Sequence, residues 1–169
     1  EPRTTVHKRD TTRPPRITEP KEGTCEKRFV TRQEFDKRLE NNEYDIVSES
    51  YGHLYGVRKD QLTKAFQNKE IHLIIIRDIS AIKKFKFMYP DAKAIYVHAD
   101  PRDIPNRLKQ RDGVDYQERL RRTQGEYDEF VSNNTLFDHI IVNFWDIDNA
   151  VKQIENIFHY YTKDAAKNL

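Results

Sequence analysis

The chain has 169 residues, enough for one domain built around a single hydrophobic core. Its 30 lysines and arginines stand against 28 acidic residues, and a net charge of +2 argues against a nucleic-acid binder defined by bulk charge. One cysteine, Cys25, excludes an internal disulfide and a cysteine-rich metal site, and no apolar stretch approaches the roughly 20 residues a membrane helix needs, so a cytoplasmic protein without membrane or nucleic-acid partners is expected.

The first informative stretch is Thr11-Thr12-Arg13-Pro14-Pro15-Arg16. Each proline fixes φ at about −65° and pushes the residue before it out of helix, which sets two guanidinium groups three residues apart on a stiff, extended backbone. Such a pair can close on the oxygens of one phosphate, because the planar arginine fork matches them and keeps its charge. A solvated basic loop is the plainer alternative. Positive charge is concentrated twice, at Arg3, Lys8, Arg9, Arg13 and Arg16 near the start and at Arg107, Lys109, Arg111, Arg119, Arg121 and Arg122 further on, a distribution that suits a polyanion gripped from two sides.

The segment from about 26 to 57 mixes short predicted strands, Arg28 to Thr31 and Tyr44 to Ser48, with one helix from Arg32 to Asn41, and reads as a small insertion that ends in a Leu54-Tyr55-Gly56 turn. After a helix over about 59 to 68, the run Ile71 to Ile76 is continuously apolar and β-branched, as in a strand buried on both faces. Ala94 to Val97 and His139 to Asn143 read as further core strands. Helices are predicted over about 80 to 88, 102 to 110, 115 to 132 and 146 to 160, the last with Ile147, Ala150, Val151, Ile154 and Ile157 at helical spacing and Phe144-Trp145 anchoring it. Residues Lys163 to Leu169 are expected to fray. The alternation of strands and helices gives an α/β class with a largely parallel sheet. The six histidines show no metal-ligand spacing, so His72 and His139 read as structural residues.

Added to the Thr11 to Arg16 run, the order Glu19, Gly23, Phe29-Val30, Phe35, Leu54-Tyr55-Gly56, Ile71 to Asp78, Tyr89-Pro90-Asp91-Ala92, Arg107-Leu108, Arg111, Arg119-Leu120, Glu126 and Phe137 to Asn143 resembles the guanylate kinase family from Thr11 to Phe158. The resemblance implies one domain over 1–169 with the fold of P-loop nucleoside-monophosphate kinases: a parallel sheet with helices on both faces, a nucleoside-monophosphate-binding insertion at about 26–57 and a helical lid at about 107–123. Carried over by position, Arg13, Arg16 and Tyr55 are expected to bind the acceptor phosphate, and Arg107, Arg111 and Arg119 to be catalytic lid arginines that offset charge on the transferring phosphoryl group. Asn143 is expected near the ATP adenine and Asp78 beside Mg2+, although a carboxylate at a strand end can equally cap the next helix. The lid arginines have their own plain alternative, a solvated helix face.

The pattern breaks in two places. No stretch of the chain matches the Gly-rich loop G-x-x-x-x-G-K-[ST] that holds ATP phosphates in the family. Either an upstream segment supplies it or the protein has none, and the cost of leaving the edge of a central parallel strand uncovered favours the first account. The residues that read guanine in the family correspond here to Ile46, Val57 and Ile76, and a tyrosine that binds phosphate corresponds to Glu26 or Lys27, depending on alignment; Arg9 stands in place of a serine. A site built to hydrogen-bond a polar edge discriminates by roughly 10⁴-fold, so losing those partners makes guanine a poor ligand.

The function expected is transfer of the ATP γ-phosphoryl group to a phosphorylated small-molecule acceptor other than GMP, given an upstream phosphate loop. The alternative is a non-catalytic module of the same family that binds a phosphorylated ligand or protein partner. Tyr160-Tyr161 is a candidate patch for a homo-oligomer, with packing at a helix end as the simpler role.

Overall fold

Thr31 shows how local sequence begins an element here. Its side chain accepts from the Glu34 amide while the Glu34 carboxylate reaches back to the Thr31 amide, and this reciprocal cap starts helix α1 (Arg32–Glu40). The computed structural model describes residues 3–16, 19–24, 26–65, 67, 70–112, 116–144 and 146–167, apart from the side chains of 64, 111–112, 116–119, 122 and 163–167. Cys25 and Trp145 lie outside the described residues. The chain forms two compact units, Glu1–Met88 and Tyr89–Leu169.

In the first unit, β1 (Thr4–Val6) pairs in parallel with β6 (Ile71–Leu73). A second sheet runs in the order β3 (Lys27–Phe29), β2 (Arg9–Thr11), β5 (His53–Arg58), β4 (Tyr44–Ser50), parallel between β2 and β3 and antiparallel elsewhere. Helix α2 (Lys59–Ala65) follows β5 and packs on it, and α3 (Ile79–Met88) packs on β4.

Two expectations are corrected here. The Leu54-Tyr55-Gly56 segment lies inside β5 and is not a turn; the chain reverses at Tyr51 and Gly52, with φ of 54° and 71°, where a two-residue hairpin loop needs positive φ. Gly56 is required for another reason, since a Cβ there would sit 2.6 Å from the Tyr44 ring. The apolar run Ile71 to Ile76 is a strand only over Ile71–Leu73, and Ile75 is 41% exposed. Its partner β1 ends at Val6, and the His7 amide makes the last bond of that ladder, to the Leu73 carbonyl at 2.9 Å.

In the second unit, β7 (Ile95–His98) and β8 (His139–Val142) pair in parallel, and the Asn143 amide extends the ladder by bonding the His98 carbonyl at 2.7 Å. Helices α4 (Ile104–Asp112) and α5 (Tyr116–Ser132) pack together. Phe130 of α5 stacks on Tyr96 of β7 with ring centroids 4.8 Å apart. Helix α6 (Ile147–Lys167) lies on β8, where Gln153 bonds both the amide and the carbonyl of Val142. It runs past the fraying point expected at Lys163, through a segment with no glycine or proline to stop it. The Tyr161 hydroxyl lies 2.7 Å from His139 Nε2, while Tyr160 is 61% exposed. No helix among the described residues is long and apolar enough to cross a membrane.

Candidate functional site

Strand β2 carries its side chains to opposite faces in turn, and Arg9, Asp10 and Thr11 are all buried. Register places Asp10 beside Gly56 on one face. There Asp10, 0% exposed, accepts from Arg28 Nη1 at 3.1 Å, from Arg38 of α1 and from the Tyr44 hydroxyl at 2.9 Å. Tyr44 stacks on the fully buried Phe35 at 4.6 Å, and burial, with the carboxylate beside it, pushes the Tyr44 phenol well above its ordinary range. Every oxygen of Asp10 has a partner, so this face holds the insertion together.

The opposite face carries Arg9 and Thr11 with their register partners Lys27 and Phe29 on β3, Val57 and Tyr55 on β5, and Ile46 and Ser48 on β4. The Arg9 guanidinium lies over the Tyr55 ring at 5.5 Å, and the Arg13 guanidinium lies over the Phe29 ring at 5.4 Å. Both cations therefore sit on one side of the sheet, flanking Thr11. The Arg13 Nη2 donates to both oxygens of Glu19, at 2.9 and 2.6 Å, and its Nη1 to the Pro14 carbonyl. The Arg16 amide also donates to Glu19, at 2.9 Å. Burial pushes the Glu19 carboxyl up, but the Arg16 amide, the Arg13 guanidinium and Lys27 outweigh it and hold its pKa at about 2.

Of the three residues expected to bind the acceptor phosphate, Arg13 meets Glu19 through its guanidinium and Arg16 through its backbone amide, while Tyr55 pairs with Thr11 and lies under the Arg9 guanidinium. Both Glu19 oxygens thus sit on one nitrogen of Arg13, Nη2, while Nη1 is engaged by the backbone. Asp78 Oδ1 accepts from the Ser80 hydroxyl at 2.5 Å and from the Ala81 amide at 2.7 Å, capping the first turn of α3. Among the described residues no three acidic or histidine side chains converge on a metal position.

In the second unit, Arg107 on α4 donates from Nη2 to the carbonyls of Asn143, at 3.1 Å, and Phe144, at 2.6 Å, so two of the expected nucleotide-side residues meet at the end of β8. Arg111 lies one turn further along α4 and Arg119 lies on α5; their side chains are outside the described residues. Asp100, which sequence reasoning missed, is buried before α4 and accepts from the Arg102 guanidinium and amide, which hold its pKa at about 2.

Sequence reasoning left Arg77 out of the site, met Glu26 and Lys27 only as replacements for a phosphate-binding tyrosine and Arg9 as the replacement for a serine, and gave none of them a role. Arg9 and Lys27 are register partners, Glu26 bridges them, and Arg77 lies close enough to bear electrostatically on Arg9. The signal that could have found them is the period-two spacing Arg9, Thr11 opposite Lys27, Phe29.

A family sequence profile described as guanylate kinase matches residues 3–161. A guanylate kinase from Koribacter versatilis is 32% identical over 151 residues, covering 87% of this chain and 63% of the relative. One from Carboxydothermus hydrogenoformans is 27% identical over 130 residues, covering 76% and 62%. The chain therefore spans less than two thirds of the length of these relatives. The crystal structure of guanylate kinase from Anaplasma phagocytophilum superposes with a TM-score of 0.75 at 26% identity, covering 94% of this chain and 76% of that one.

Proposed function

Since the chain belongs to the guanylate kinase family and shares the α/β fold of P-loop nucleoside-monophosphate kinases, we propose that it serves in transfer of the ATP γ-phosphoryl group to a phosphate of an acceptor other than GMP. The observation that carries this reading is the Arg9 and Arg13 face of the sheet, with two guanidinium groups over Tyr55 and Phe29 and with the apolar Ile46 and Val57 at the positions that read guanine in the family. Ile46 and Val57 are each 2% exposed and offer a guanine edge no hydrogen bond.

In this reading Arg13, the Arg16 segment and the Tyr55 hydroxyl hold the acceptor phosphate, which displaces Glu19 from the Arg13 fork. An ionised phosphate oxygen of the acceptor forms the new bond to the γ-phosphorus as the bond from that phosphorus to its bridging oxygen breaks and ADP leaves. The attacking oxygen is already deprotonated, so no general base is needed, and catalysis falls to positioning and charge. Arg107, Arg111 and Arg119 supply positive charge to the equatorial oxygens, and Asn143 orients the nucleotide. Bound magnesium would neutralise phosphate charge; Asp78 has its Oδ2 to offer it, the Oδ1 being engaged in the helix cap, which fits an ion that keeps phosphate and water as its other ligands.

The test is ATP consumption by the full-length protein against nucleoside monophosphates, sugar phosphates and phosphopeptides. Turnover with a non-guanine phosphate at least tenfold above that with GMP supports the reading. Sub-micromolar binding of GMP contradicts it, and phosphopeptide binding without turnover on any acceptor replaces it with the module reading.

A further inference from the structure

Arg9 is an unusual residue to bury. It is 5% exposed, yet among the described residues its Nε has no hydrogen-bond partner, and the carboxylate paired with it, Glu26, stands 3.7 Å away, beyond hydrogen-bond length. A buried cation is costly unless it is paired and hydrogen-bonded, so an open donor here is a defect in the ligand-free protein that a bound anion would repair. Burial lowers the Arg9 pKa and Glu26 and Tyr55 oppose it, but arginine keeps its charge in such settings.

The surroundings have the same sense. Lys27, opposite Arg9 in the ladder, shares Glu26 with Arg9 and shares Glu19 with Arg13 at 3.4 Å. Among the described residues two carboxylates thus serve three side-chain cations, and Arg77 bears electrostatically on Arg9. Val57 lies opposite Arg9 and Ile46 next to Val57, so the excess charge sits against an apolar, water-poor wall where an ion pair is strengthened. Arg9 and Arg13 are at most about 13 Å apart along the backbone, at 3.3 Å per residue.

We infer that Arg9 and Lys27 form a second anion subsite on the acceptor face, which selects a small acceptor carrying two phosphate-like groups, one on Arg13 and one on Arg9. The inference rests on the acceptor reading of the Arg13 face. In the ligand-free state Glu19 and Glu26 hold the two positions and are displaced as the acceptor enters.

Calorimetric titration of the whole protein with two matched pairs, fructose 6-phosphate against fructose 1,6-bisphosphate and glucose 6-phosphate against glucose 1,6-bisphosphate, tests it. In at least one pair the bisphosphate should bind tenfold or more tightly. Arg9→Met should bring that ratio close to one. Glu26→Gln, which removes the competing carboxylate, should raise bisphosphate affinity several-fold; this gain of binding cannot come from misfolding. Absence of a bisphosphate preference in both pairs, survival of the preference in Arg9→Met, or weaker bisphosphate binding in Glu26→Gln overturns the subsite. Arg13→Gln separates the two readings: it should weaken every ligand at least tenfold, and unchanged monophosphate binding in that variant would remove the acceptor reading itself.

Discussion

The two faces of strand β2 solve the same problem in opposite ways. On one, the buried Asp10 has all its acceptor capacity met by Arg28, Arg38 and Tyr44, and the cluster is closed. On the other, the buried Arg9 keeps an unused donor, and the ion pairs around it are loose and shared. A saturated buried polar cluster fixes a fold, because removing any member leaves the others unpaired. An unsaturated one carries a cost in the empty protein that a ligand can relieve. Adjacent residues of one strand thus differ, Asp10 with its partners complete and Arg9 with a donor to spare, and the pleat keeps the two apart.

The largest expected effect falls on the closed face. Asp10→Asn leaves two arginines without their carboxylate and should destabilise by about 3 kcal/mol, at the low end for a broken buried pair because Arg28 and Arg38 keep some solvent. That corresponds to a drop in Tm of roughly 6–12 °C for a chain of this size. A loss under about 1 kcal/mol in urea denaturation would show that the cluster is not what holds the insertion. Gly56→Ala acts on the same face by overpacking against the Tyr44 ring and should cost about 2 kcal/mol, read in the same experiment.

The open face should show itself through acid. Glu19 titrates at about 2 in the folded chain, below the value of 4.5 for a free glutamate, so its contribution is complete above pH 4.5 and is lost as pH falls towards 2. Thermal unfolding followed from pH 6 to 2 should lose part of its acid sensitivity in Glu19→Gln; equal slopes for variant and parent would remove Glu19 as the keeper of the Arg13 fork. The smallest effect is expected for Arg9→Met. Replacing an incompletely paired buried cation with an apolar side chain of similar volume should change stability by less than about 1 kcal/mol. A loss as large as that of Asp10→Asn would erase the difference between the faces.

The sequence made some of this legible. The α/β order, α1, α3 to α6, β7 and β8 follow from apolar periodicity and the alternation of strand and helix patterns. It hid β1 and β2, because three-residue strands carry too little pattern to read, and it hid β5, because Gly56 reads as a turn residue when its role is to admit the Tyr44 ring. The run Ile71 to Ile76 overstated its strand, since composition cannot reveal that the partner strand stops at Val6. At the site, Arg13, Arg16 and Tyr55 stand out because prolines and a Tyr-Gly pair mark them. Arg9 does not, because arginine is rarely buried and reads as surface charge. Whether Glu26 or Lys27 belongs to the site is undecided in one dimension, but the pairing of Phe29 with Thr11 sets Lys27 opposite Arg9, with Glu26 bridging them.

The most direct measurement is nitrogen-15 NMR of the arginine Nε–H groups during titration of the protein with inorganic pyrophosphate, which carries two phosphoryl groups. Shifted and exchange-protected resonances for Arg9 and Arg13, with Arg28 and Arg38 unmoved, are the predicted result. Movement of Arg28 or Arg38 with Arg9 and Arg13 unchanged would contradict it.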